Sequence, residues 1–304
     1  MAESVMTLIA AQSASSCIDT AVAAVAEALR RLGASVALRD WLAPGIACDI
    51  PFADLDSDQA DAAARAALAD SVGDRAIDLV AQPATGRKKR LLLADMESTI
   101  IVNEMLDELA ELRGLRPQIA EITRRAMNDE IDFSTALRER VGLLKDLPES
   151  ALAEAGARIR ITPGAPALVA TMRAGGAHAV LVSGGFGCYT ARIRAELGFD
   201  LDVANEPIIA DGKLTGAVQE PIVARDVKLA TLKRLAAERG LPLQATLAVG
   251  DGANDIDMIE AAGLGIAFRA KPALLARARH RIDHTDLTAL LYAQGYRAAE
   301  FVGA

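Results

Sequence analysis

Residues that mark several specialised protein classes are scarce in this chain of 304 residues. Cysteine occurs only at Cys17, Cys48 and Cys188, with no CxxC pair. An odd, widely spaced set argues against a disulfide framework or a thiolate zinc site and fits a reducing compartment. Aromatic residues make up 3% of a chain that is 52% hydrophobic, a composition of small and aliphatic residues that suits a helix-rich, tightly built enzyme and not a disordered or fibrous chain. No uncharged apolar run reaches the ~18 residues of a membrane span, and the short apolar run after Met1-Ala2-Glu3 has no basic segment before it. A cytoplasmic protein without membrane contact is expected. Basic excess is missing too: the net charge is −8, so no nucleic-acid surface is expected. The three histidines, His178, His280 and His284, stand apart from every other candidate group and read as structural or surface residues.

Residues 5–83 run strand (SVMTLIAA), helix, two short strands (ASVALRDWLA, IACDIPF), helix and strand (AIDLVAQP). That βαββαβ order is the pattern of a small ferredoxin-like α+β domain, assigned to residues 1–85. It carries no chemical constellation, so a regulatory or dimerising role is expected, with a homodimer through the small sheet as its simplest form. The basic, Pro- and Gly-containing stretch PATGRKKR (83–90) reads as a linker, and residues 86–304 form the second domain.

Four apolar runs follow: RLLLAD (90–95), AHAVLVSG (177–184), ATLAVGD (245–251) and GLGIAF (263–268). Near-continuous apolar strands alternating with helices predict a Rossmann-like α/β core, a parallel sheet covered on both faces. Three of these strands end on Asp95, Ser183 and Asp251, which should meet at one crevice, because open parallel sheets bind ligands at the carboxyl ends of their strands. The stretch between the first two strands far exceeds a crossover and reads as four helices, an inserted cap over about 103–160 that can act as a lid. Asp211-Gly212 predicts a tight hairpin turn.

The first strand is followed by Asp95-Met96-Glu97-Ser98-Thr99, and the third by Gly250-Asp251-Gly252-Ala253-Asn254-Asp255. Four carboxylates converging on one crevice raise each other's pKa unless a cation joins them. An oxygen-only donor set without His or Cys favours Mg²⁺. Ser183, Gly184 and Gly185 put a hydroxyl and backbone N–H groups at a strand-to-helix junction, a cradle for an anion. Lys228 is the expected point charge for a phosphoryl oxygen.

The set DMEST, SGGF, Lys228 and GDGANDIDM, in that order, resembles the haloacid dehalogenase-like superfamily of phosphatases. The flanking text is most similar to phosphoserine phosphatases. The resemblance covers roughly residues 90–295, and the N-terminal segment with WLAPGIACDIPF is similar to the accessory, ACT-like domain of bacterial members. It implies a Mg²⁺-dependent enzyme that hydrolyses O-phospho-L-serine, the last step of serine biosynthesis. Asp95 would be the nucleophile, forming an aspartyl-phosphate, and Glu97 the general acid and base. Asp95, the Glu97 carbonyl and Asp251 would hold the metal. Ser183, Gly184, Lys228 and Asn254 would bind the phosphoryl group, with Asp255 supporting the loop. In the cap, Glu104 would receive the substrate ammonium, while Phe133 and Arg140 would cover the substrate and grip its carboxylate.

Two positions depart from the family pattern. Glu97 stands where Asp is usual, and Asp129 where the cap motif AMxGxxDF has Gly. Arg269 and Glu206 are charges near the expected crevice without an assigned role, and Cys188 is expected to be a buried, inert thiol. The alternatives are a phosphatase or phosphotransferase for another small phosphorylated metabolite, and a catalytically silent amino-acid sensor.

Overall fold

The structure, a computed structural model, describes all residues except 1–2, 74–75, 128–129 and 304 and the side chain of Met127. Asp129 therefore lies outside the described residues. The first sheet is built from β1 (Ser4–Ala10), β2 (Ser35–Val36), β3 (Asp40–Ala43), β4 (Ala47–Ala53) and β5 (Ile77–Pro83). Its order is β2-β4-β1-β5, with β3 alongside β4, and every pair is antiparallel. This is the ferredoxin-like arrangement, with β2 and β3 as two pieces of one expected strand.

Two helices cover one face. In α1 (Ile18–Arg31) the buried residues Ile18, Ala21, Val22, Val25 and Leu29 recur at three- and four-residue spacing, the stripe that an amphipathic helix turns inward. Helix α2 (Ser57–Val72) starts at Asp56, whose side chain accepts from the Asp58 and Gln59 N–H groups and buries Ala60, Ala64 and Leu68 on its inner side. Such a cap is worth about 1 kcal/mol. The opposite face of the sheet is not open. Ile9, Leu42, Ala43, Ala47 and Val80 belong to the same apolar cluster as Tyr292 and Ala293.

In the stretch 83–90, read as a linker, Pro83, Thr85, Gly86, Lys88 and Arg90 are exposed, while Arg87 and Lys89 are tied inward. Arg87 bonds both oxygens of Asp49, the Thr7 hydroxyl and the carbonyls of Tyr292 and Ala293. Lys89 is 7% exposed, with Nζ donating to the Gly86 and Gln244 carbonyls. Carbonyls and a carboxylate thus satisfy these two basic side chains inside.

The second sheet holds β6 (Leu91–Asp95), β7 (His178–Phe186), β8 (Leu201–Asn205), β11 (Thr246–Gly250), β12 (Leu264–Phe268) and β13 (His280–Ile282). All pairs are parallel, in the order β13-β12-β11-β6-β7-β8. The outer strands β8 and β13 were not among the predicted runs, because edge strands lack the continuous apolar text of central ones. Between β6 and α7 (Ala165–Ala174) lies the cap: α3 (Met105–Glu111), α4 (Arg116–Met127), α5 (Phe133–Gly142) and α6 (Ser150–Gly156). The hairpin β9 (Pro207–Ala210) and β10 (Lys213–Val218) turns at Asp211 and Gly212, both with positive φ, 49° and 69°, as a type I′ turn requires. It buttresses the cap: Leu214 N–H donates to Leu147 O and Asp146 N–H to Leu214 O. Crossover helices α8 (Gly187–Leu197), α9 (Arg225–Glu238) and α10 (Ile256–Ala261), then α11 (Pro272–Leu275) and α12 (Ala289–Ala293), complete the chain. Among the described residues no helix is long and apolar enough to cross a membrane.

Candidate active site

The carboxyl ends of the parallel strands bring the sequence candidates together. Asp95 is the last residue of β6 and 4% exposed. Its Oδ1 accepts from the Met96 N–H at 2.8 Å and lies 2.8 Å from Lys228 Nζ. Lys228, fully buried on the first turns of α9, also reaches Asp255 Oδ1 at 2.7 Å. The other Asp255 oxygen accepts from the Asp251 and Gly252 N–H groups. Burial alone would lower the Lys228 pKa; Asp255 and Asp95 outweigh it and hold the ammonium charged. Asp95 is pushed the other way, well above the ordinary carboxylate range, by burial and by Asp255, against the pull of Lys228.

Ser183 is buried and accepts from the Gly185 N–H at 2.9 Å. Asn205, at the end of β8, ties this loop down: its Nδ2 donates to Gly184 O at 2.8 Å and its Oδ1 accepts from Val223 N–H. The glycines here let two side-chain ends approach closely. A Cβ on Gly184 would sit 2.7 Å from Phe133 Cζ, and one on Gly185 would sit 2.8 Å from Glu97 Oε2. The second contact accounts for how a side chain one methylene longer than Asp is accommodated. Glu97 lies in an irregular turn, Met96–Ile100, where Ser98 has a left-handed φ of 52°. Its Oε1 accepts from the Met105 N–H, the first turn of α3, at 2.7 Å. Burial first, then Glu104, raise its pKa to about 7. A carboxyl poised there can give and take a proton near neutrality.

The cap supplies two complementary charges. Arg140 bonds only the Ala136 carbonyl of its own helix and has no carboxylate partner among the described residues, though its charge lowers the pKa of Glu97 and of Asp107. Glu104 accepts from the Ser98 hydroxyl at 2.8 Å and faces Lys271 Nζ at 3.1 Å. Lys271 also reaches Asp251 Oδ2 at 3.1 Å. Asp251 is 4% exposed, and its pKa is raised to about 6 by burial, with Lys271 opposing. Asn254 is part of the turn Ala253–Asp255, its Oδ1 close against Gly252.

A metal fits this donor set. Ligand oxygens of Asp95, Asp251 and Asp255 lie within 4.8 Å of one another. Asp255 is saturated by Lys228 and two N–H groups, whereas Asp95 Oδ2 and Asp251 Oδ1 carry no hydrogen bond among the described residues. Two free carboxylate oxygens in a site where acidic groups outnumber basic ones suit a hard divalent cation. By contrast, a cavity of about 520 Å³ at the opposite end of the strands is lined by Arg90, Arg173, His178 and Arg239. Arg173 and Arg239 there lie at the C-terminal ends of α7 and α9, the place where helix dipoles favour cations.

The model of the family "haloacid dehalogenase-like hydrolase" matches residues 92–260. The chain belongs to that family. A phosphoserine phosphatase of Streptococcus thermophilus is 47% identical over 199 residues, 66% of this chain and 93% of that one. A phosphoserine phosphatase of Streptomyces coelicolor is 40% identical over 238 residues, 78% of this chain; the chain spans only 58% of that relative. Among solved structures, a HAD-family hydrolase from Salmonella enterica serovar Typhi superposes with a TM-score of 0.81 at 28% identity, over 95% of this chain and 98% of that one. The similarity to that hydrolase therefore extends beyond the parallel-sheet core into the N-terminal sheet.

Within this family member, several residues near the site escaped the sequence reading. Lys271 follows the fourth apolar run, whose carboxyl end opens on the same crevice by the rule applied to the other three. Asn205 terminates an edge strand that was not recognised. Arg269, left unassigned, stacks on Phe268 and donates to Thr285 O at 3.0 Å. Glu206 lies against Gly187, outside the carboxylate cluster. Cys188 is exposed on α8 and not buried, while Gly187, Tyr189 and Thr190 of the same turn face the core. Its thiol is held up at about 11 by desolvation and Glu206.

Proposed function

We propose that the chain is a phosphomonoester hydrolase for O-phospho-L-serine. The observation that carries this reading is the charge pattern around Asp95: a buried Lys228 and the Ser183–Gly185 loop for a phosphoryl group, the Arg140 guanidinium, without a carboxylate partner among the described residues, for a carboxylate, and Glu104 for an ammonium. An amino-acid phosphate presents those three charges together, and Arg suits a carboxylate because its fork makes two parallel hydrogen bonds. The names of the relatives support the same substrate.

Asp95 attacks phosphorus in line, the bond from phosphorus to the serine oxygen breaks, and the Glu97 carboxyl gives its proton to the departing alkoxide. Water then attacks the aspartyl-phosphate, Glu97 takes the water proton, and Asp95 is regenerated with release of phosphate. Lys228 and the loop N–H groups neutralise the transferred group, which is where most of the rate in phosphoryl transfer originates. Asp95, the Glu97 carbonyl and Asp251 would hold Mg²⁺, which when bound supplies further charge neutralisation on the phosphoryl oxygens. Asn254 and Asp255 hold the loop, and Phe133 closes over Gly184. Residues 1–85 form an accessory domain and 86–304 the catalytic one, a division supported by the two separate sheets.

The test is phosphate release from O-phospho-L-serine, phosphothreonine and sugar phosphates, with Mg²⁺ or EDTA, alongside Asp95→Asn. Mg²⁺-dependent preference for phosphoserine, absent in the variant, is expected. Turnover only of other phosphates overturns the substrate; no turnover at all overturns the enzyme reading in favour of a sensor.

A further inference from the structure

Lys271 is built into the site with more care than a surface lysine requires. It caps α11 and its backbone N–H donates to Asp251 O at 2.7 Å. Its position is thereby tied to the strand end that carries Asp251. From that anchor its ammonium spans the seam between core and cap, 3.1 Å from Asp251 Oδ2 and 3.1 Å from Glu104 Oε1. The same Glu104 oxygen also accepts from the Ser98 hydroxyl, on a residue with a left-handed backbone. The pair is only partly exposed, 47% and 37% for the two side chains.

We propose that Lys271 is an internal counter-ion standing in for the substrate ammonium on Glu104, and so sets how strictly the site demands an amino group. This rests on the phosphoserine reading. The chemistry is that of one primary ammonium replacing another on the same carboxylate. With Lys271 in place, Glu104 stays neutralised when a phosphate ester without an amino group binds, and the cap closes on it at little cost. An ammonium-bearing substrate must displace or share that contact, which raises its KM. Without Lys271 both effects reverse. An amino-free ester leaves Glu104 a desolvated, uncompensated carboxylate, and phosphoserine meets no competitor.

The sign is therefore counterintuitive: removing a cation from the site sharpens selection for a cationic substrate. The experiment compares kcat/KM for O-phospho-L-serine with that for 3-phospho-L-glycerate, which has a hydroxyl in place of the ammonium at the same configuration. Saturating Mg²⁺ is used, since Lys271 also touches Asp251. In Lys271→Met the ratio of the two is expected to rise by up to about fivefold, the upper end for a partly exposed ion pair. The rise should come from a lower KM for phosphoserine together with a lower kcat/KM for the analogue. Lys271→Arg should restore the wild-type ratio. In a Glu104→Gln background Lys271→Met should leave the ratio unchanged, which separates this role from any effect through Asp251. An unchanged or smaller ratio in Lys271→Met, with phosphoserine turnover intact and an unaltered melting temperature, overturns the inference alone. Absence of phosphoserine turnover by the wild-type protein overturns it together with the substrate reading.

Discussion

Buried charge occurs in two regions of this molecule and is handled in opposite ways. At the seam between the sheets, Asp49 is bonded by Arg87 and Thr7, and Asp78 accepts from the backbone of Asp283, His284 and Thr285 and from the Thr285 hydroxyl. Each carboxylate there is met by donors on both oxygens. At the crevice, five carboxylates (Asp95, Glu97, Glu104, Asp251, Asp255) face three cations (Lys228, Lys271, Arg140), and Asp95, Glu97 and Asp251 are all pushed toward the protonated form by burial. A structural buried ion is one whose every lone pair is answered. A functional one is left short of partners, so that a ligand can complete it.

Single substitutions should separate the two regions. On the proposed mechanism Asp95 is the nucleophile, and Asp95→Asn is then expected to lower kcat by about 10³-fold or more. Urea unfolding of the same metal-free variant should show unchanged or higher stability, because the charge removed was disfavoured by its surroundings. Asp49→Ala should do the reverse. Stranding Arg87 costs about 3–5 kcal/mol in denaturant unfolding, while turnover per folded molecule stays near that of the parent. If Asp49→Ala abolished turnover in fully folded protein, the two regions would be coupled and the distinction would fail.

Smaller effects test the details of the crevice. Gly185→Ala forces a Cβ against Glu97, and a displacement of that size should cost about 10- to 100-fold in kcat with little change in phosphoserine KM. The pH profile gives the finest reading. If Glu97 is the general acid, as proposed, it must carry its proton for the leaving group to depart, and kcat/KM should fall on the alkaline side with an apparent pKa of about 7. In metal-free protein the folded state holds this proton more tightly than the unfolded chain. The Glu97 contribution to stability is therefore fully present below the ordinary value of 4.5 and is lost as pH rises to about 7. A flat activity profile from pH 6 to 8 would remove Glu97 from the acid role.

Much of the fold and of the candidate site was visible before any coordinates. Strands β6, β7, β11 and β12 and helices α3 to α6 were readable because their signals are local: continuous apolar text, three-and-four spacing, Gly and Asp at the turns. Asp95, Ser183 and Asp251 could be set side by side because parallel strands end at one edge. Lys271 and Asn205 could not, one because it lies three residues beyond the end of β12, the other because β8 is a half-exposed edge. Cys188 was misjudged because burial at one helix position depends on which side the core takes.

The amino-acid sequence by itself determined the elements, their order, the crevice and the chemical types gathered there, since backbone periodicity and turn chemistry act over a few residues. Tertiary structure alone decided which charges are answered. Lys228 meets Asp255 across 27 positions, Arg87 meets Asp49 across 38, and Lys271 meets Glu104 across 167. Coulomb energy and desolvation depend on distance through space and on burial, and neither is written in the spacing of residues along the chain.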